Sequence, residues 1–85
     1  MHTGTTSSIE TEFWRIFGRV LGRTIVPGRY KQGDLSEWDS LRHVELIFEL
    51  EECFGVDVPS DAIVELFSDT DVVLEFLRQR VKARP

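Results

Sequence analysis

The chain holds a single cysteine in 85 residues, Cys53, so no internal disulfide can staple it. No apolar run is long enough for a membrane helix, and no repeat or low-complexity segment occurs. The opening stretch MHTGTTSSIETE lacks the basic and apolar segments of a secretory signal, and a cytoplasmic location is expected. Metal-ligating side chains are sparse: His2, His43 and Cys53 are too scattered for a site. An EF-hand begun at Asp34 would need glycine at its sixth position, which is Asp39. Ser40 has only Asp39 and His43 nearby as partners, and His43 points elsewhere on a helix, which argues against a self-contained hydrolase.

Basic charge is almost missing from the middle of the chain. Between Asp34 and Glu75 there are thirteen acidic residues and one basic residue, Arg42, a net charge of −12. Nine further Lys and Arg residues lie in the flanks, and the whole chain carries −5. A field of this sign repels nucleic acid and steers toward basic protein surfaces. With 41% hydrophobic and 29% charged residues the chain has the composition of a folded globular protein. Its length allows one domain over 1–85, with an ordered core at about 8–81 and frayed ends at about 1–6 and 83–85. No second lobe is available to close a catalytic cleft, so an enzyme is not expected and chemistry is left to a partner.

Four helices are predicted and no strand. Ser7-Ser8-Ile9-Glu10 has the form of a capping box. Behind it, Ile9, Phe13, Ile16, Phe17, Val20 and Leu21 keep the spacing of one buried face up to Gly22. The connection Arg23 to Trp38 is long, which predicts that Ile25, Val26, Leu35 and Trp38 pin it to the core. Helix two runs to Phe54, with Asp39 as N-cap and Gly55 as stop. Val56-Asp57-Val58-Pro59 reads as an extended linker. Ser60 and Asp61 offer a cap for a short helix through Phe67, and Ser68-Asp69-Thr70-Asp71 caps a last one reaching about Val81.

Helix two carries an anomaly. At about 100° per residue from Leu41, the residues His43, Val44, Leu46, Ile47, Leu50 and Phe54 fall in one broad arc, at about 140° to 300°, suited to a core. Arg42, Glu45, Glu49 and Glu52 occupy the opposite arc, yet Leu41 and Phe48 lie there too. Two apolar knobs interleaved with carboxylates, in the series Leu41, Glu45, Phe48, Glu52, suit a surface that grips another protein. Ser40 sits beside this series, and with Asp39 better placed as the cap its hydroxyl is left over. His43, on the buried arc, is expected to pack rather than to act as a base.

Several stretches together carry a resemblance: Asp34-Leu35 ahead of Asp39-Ser40-Leu41, Val44-Glu45-Leu46 with Leu50-Glu51-Glu52, Phe54-Gly55, Val58-Pro59, and Leu74-Glu75-Phe76-Leu77. From about Ser8 to Val81 the chain resembles an acyl carrier protein. The resemblance implies an all-α four-helix bundle with a short third helix and a long loop between helices one and two. It implies 4′-phosphopantetheine on Ser40, with Asp39 near the Mg²⁺ and coenzyme A that a phosphopantetheinyl transferase would bring. Leu41, Arg42, Glu45, Phe48 and Glu52 then become partner-binding residues for that transferase and for acyl-loading and acyl-processing enzymes with basic docking surfaces. The implied protein is a monomer without membrane insertion. Arg42 replaces a position often acidic in the fatty-acid carriers, and Glu37-Trp38 replaces the usual small residues. Trp38-Asp39-Ser40-Leu41 resembles stand-alone carriers of specialised metabolism more than the housekeeping carrier.

Two other readings compete. One is an acidic interaction module that keeps the carrier fold and is never modified. The other is a peptidyl or aminoacyl carrier of non-ribosomal synthesis, disfavoured because no glycine-rich approach to Ser40 exists.

Overall fold

Hydrophobic spacing of three and four residues builds the first element, α1 (Thr5–Leu21). The structure, a computed structural model, describes residues 5–82. Phe13, Ile16, Phe17 and Leu21 are buried along one face of α1. The remaining helices are α2 (Ser40–Phe54), α3 (Ser60–Leu66) and α4 (Thr70–Lys82), with no strand among the described residues. The molecule is an all-α bundle whose third helix is short. Leu46, Ile47 and Leu50 of α2, Leu66 of α3, and Val73, Leu74 and Leu77 of α4 complete one continuous core with α1. Leu41, Val44 and Phe48 of α2, Val64 of α3 and Val72 of α4 stay outside that core and face solvent.

Helix ends follow local chemistry with four corrections. Ser7 lies inside α1, two residues past Thr5, and cannot be its N-cap; Thr5, Thr6 and Ser7 all carry hydroxyls, so the capping signal there is degenerate. Thr5 and Thr6 are helical rather than frayed, while 1–4 and 83–85 lie outside the described residues. At α3 the cap is the extended Pro59, with no side-chain bond, and Ser60 and Asp61 stand in the first turn. Phe67 is the C-cap of α3 rather than its last residue. At α4 the expected acid does cap: Asp69 Oδ1 accepts the Asp71 N–H at 2.9 Å. Gly55 ends α2 at φ 64°, where its N–H reaches the Glu51 carbonyl. Gly18 matters for another reason, since a Cβ there would meet the Arg23 carbonyl oxygen at 2.9 Å where the chain folds back over α1.

The long connection is tied down at three places. Ile25 and Trp38 are buried and Leu35 half-buried, whereas Val26 is 72% exposed and anchors nothing with its side chain. Its carbonyl serves instead, accepting the Tyr30 hydroxyl at 2.6 Å, while the Tyr30 ring packs edge-on against Trp14. A short backbone seam then joins the loop to the α3–α4 junction. Thr70 N–H donates to Tyr30 O at 2.9 Å, Gln32 N–H donates to Ser68 O at 2.7 Å, and the Tyr30 N–H donates to Thr70 Oγ1 at 3.0 Å. Arg29 reinforces the seam with two hydrogen bonds to Asp69 Oδ2, at 2.9 and 2.7 Å.

Candidate functional site

The head of α2 is where the sequence placed its unexplained serine. Asp39 is the N-cap in extended backbone, φ −99° and ψ −178°; its Oδ1 accepts the Arg42 N–H at 2.9 Å and its carbonyl accepts the His43 N–H at 2.9 Å. Asp39 thus takes the capping role alone. Ser40, the first helical residue, is exposed, and its hydroxyl has no hydrogen-bond partner among the described residues. It stands at the positive end of the α2 dipole, where negative charge is electrostatically favoured.

Beside Ser40 runs an apolar ridge. Leu41 is 66% exposed and Phe48 58%, so neither α1 nor the long loop covers them. Val44, expected in the core stripe, is 37% exposed and lies between them on the ridge. The wheel placed it at the margin of the buried arc, next to Phe48, and that margin is where the core ends. Glu45 and Glu52 flank the ridge from solvent. Glu52 has no ion-pair partner among the described residues, and the nearest cation to Glu45 is Arg42 Nε at 4.0 Å. Glu49 is spoken for by Arg19, at 2.6 Å.

Arg42, expected among the partner-binding residues, has a side chain 41% exposed that also bonds within the bundle. Its guanidinium turns back over α1 and donates to the carbonyls of Val20 at 3.3 Å and Leu21 at 3.5 Å. Those carbonyls belong to the last turn of α1, which lacks intrahelical donors. Glu37 is also engaged, in an ion pair with Arg23 at 3.3 Å. Contact with Arg23 helps hold its carboxyl below the ordinary glutamate range, behind the larger effect of its own backbone amide.

Trp38 and His43 seal the floor beneath the site. Trp38 is 2% exposed and packs edge-on against Phe17 and Phe67, with centroids at 5.3 and 5.5 Å. His43 stacks on Phe67 at 4.8 Å. An indole N–H can only donate, so His43 Nδ1 is the acceptor at 3.2 Å; the Ile63 carbonyl can only accept, so Nε2 carries the proton at 2.8 Å. Burial pushes the His43 pKa down, against a smaller upward pull from the Ile63 carbonyl. The ring is a neutral strut between the loop, α2 and α3. It is a packed histidine, as expected, with no free nitrogen for a base.

Cys53 is exposed, and partial desolvation of its sulfur together with the nearby Glu12 carboxylate raises its pKa, which disfavours the thiolate. Among the described residues no group of three His, Cys, Asp or Glu side chains is arranged to hold a metal ion. No helix among them is long and apolar enough to cross a membrane. No family model matches the chain, and no solved structure matches it.

Proposed function

We propose that the chain is a carrier protein of the acyl-carrier type. It holds acyl intermediates as thioesters on a 4′-phosphopantetheine arm attached to Ser40 and presents them to enzymes of fatty-acid-like, polyketide or other specialised biosynthesis. The observation that carries this reading is the Ser40 hydroxyl, exposed and unpartnered at the head of α2. Asp39 already performs the capping that would otherwise explain a serine there.

The arm supplies a terminal thiol on a long tether, which raises the effective concentration of its cargo at each partner's active site. The chain's own residues do the rest. The N–H groups of the first turn of α2 favour the diester's negative charge. Leu41, Val44 and Phe48 offer burial to a docking enzyme, while Glu45 and Glu52 steer basic surfaces toward Ser40. Catalysis stays with the partner. Intact mass after incubation with coenzyme A and a broad-specificity phosphopantetheinyl transferase tests the proposal, with Ser40→Ala as the control.

A further inference from the structure

An open groove of about 710 Å³ lies between α3 and α4, lined by neither Ser40 nor the ridge of α2. Ala62, Val72 and Phe76 give it an apolar floor. Val72 is 43% exposed and Phe76 half-buried, so part of that floor faces solvent. The rim is acidic on both sides, with Asp61 and Glu65 from α3 and Asp71 and Glu75 from α4.

Charge on this rim is poorly matched from within. Asp61 and Glu65 have no ion-pair partner among the described residues, and Asp71 and Glu75 reach Arg29 and Arg78 only at 3.6 and 3.8 Å. The arginines of α1 and its exit show the contrast: Arg15, Arg19 and Arg23 are each tied to a carboxylate, of Glu12, Glu49 and Glu37 respectively. One cation does enter the groove. The Arg80 guanidinium sits over the Phe76 ring, 4.8 Å from its centroid, so that ring already presents a face to a cation.

We infer that the groove is a docking surface for a basic amphipathic segment of a partner protein. Apolar side chains of that segment lie on Val72 and Phe76, and its Lys or Arg residues pair with the two acidic rims. The stretch from Val72 to Gln79 is about 10 Å long at the rise of an α-helix, which accommodates about two turns of a docked helix. Nucleic acid and anionic lipid are repelled by this rim. A second copy of the chain would bring arginines from α1 that are already paired.

The test uses ¹⁵N-labelled full chain carrying Ser40→Ala, so its outcome does not depend on whether Ser40 is modified. The probe is a synthetic helical peptide of about 15 residues with leucine on one face and arginine on the other. A second peptide of equal charge replaces each leucine by serine. Amide shifts are expected to concentrate at Ala62, Glu65, Val72, Phe76 and Gln79. Glu65→Lys, at an exposed position without a partner, weakens the dissociation constant about tenfold, as does Val72→Ser. The serine peptide binds at least about tenfold more weakly than the leucine peptide. The inference is overturned if shifts concentrate on Leu41 to Glu52, if they spread evenly over the acidic surface, or if the two peptides bind alike.

Discussion

Trp38 donates its indole N–H to Nδ1 of His43 at 3.2 Å, and the other nitrogen of that ring donates to the Ile63 carbonyl. The residue before the α2 cap is thereby joined through α2 to α3, and the Trp38 end of the relay requires an uncharged imidazole, because Nδ1 must accept there. The folded pKa of His43 lies below its unfolded value, so the unfolded chain binds more protons between the two. Stability is full above the ordinary histidine value, about 6.5, and falls as pH drops below it. Urea unfolding at pH 7.5 and 5.5 checks this. The midpoint is expected to fall on acidification, and to fall less in His43→Gln. The carboxylate of Asp69, held low chiefly by its Arg29 hydrogen bonds, contributes above its ordinary range and is lost only in stronger acid, well separated from the histidine step.

Trp38→Phe keeps an aromatic ring against Phe17 and Phe67 but removes the donor to His43 and leaves a small void. A buried acceptor without its partner costs about 1–3 kcal/mol, and the lost ring volume adds to that. The expected loss of unfolding free energy is about 2–4 kcal/mol, read by urea titration. A change within about 0.5 kcal/mol, as at an ordinary surface position, would contradict the relay.

Arg42→Ala withdraws the guanidinium from the Val20 and Leu21 carbonyls. Helix C-terminal cations contribute about 0.3–1 kcal/mol at partly exposed sites, and a loss of that size is expected in thermal unfolding. Since the side chain faces α1, the rate of pantetheine loading should change less than twofold, by the size of a small steering effect. A tenfold drop in loading with unchanged stability would return Arg42 to the partner surface.

Phe48→Ala and Glu45→Arg should behave in the opposite way. Both side chains are exposed, so stability should stay within about 0.5 kcal/mol of wild type. If the ridge is the docking face, each should slow loading or partner turnover by about tenfold, the size of a moderate hot spot. Unchanged kinetics in both variants would make the ridge ordinary surface.

The parts of this structure that depend on near neighbours were legible in the sequence. Asp39 and Gly55 bracket α2 because a cap and a left-handed stop act within a few residues. The exposure of Leu41 and Phe48 followed from the turn angle of one helix. Choices among equivalent signals were not legible: three hydroxyl residues could each have capped α1, and Pro59 rather than Ser60 precedes α3. Val26 and Val44 are apolar at spacings that allow burial, yet whether a partner element reaches them is a tertiary fact. The bonds made by Arg42 were hidden for the same reason, since the carbonyls it caps lie more than twenty residues away in the chain. Trp38 was expected in the core and is there, but its link to His43 needed both rings in space.

Whether the Ser40 oxygen carries the arm is read by peptide-mapped mass spectrometry. After incubation with coenzyme A and a phosphopantetheinyl transferase, wild-type protein should gain one phosphopantetheine, carried on the peptide containing Asp39, Ser40 and Leu41. Ser40→Ala, folded to the same helical signal, should gain none. A wild-type chain that stays unmodified, or an alanine variant that gains the same mass, would contradict the account.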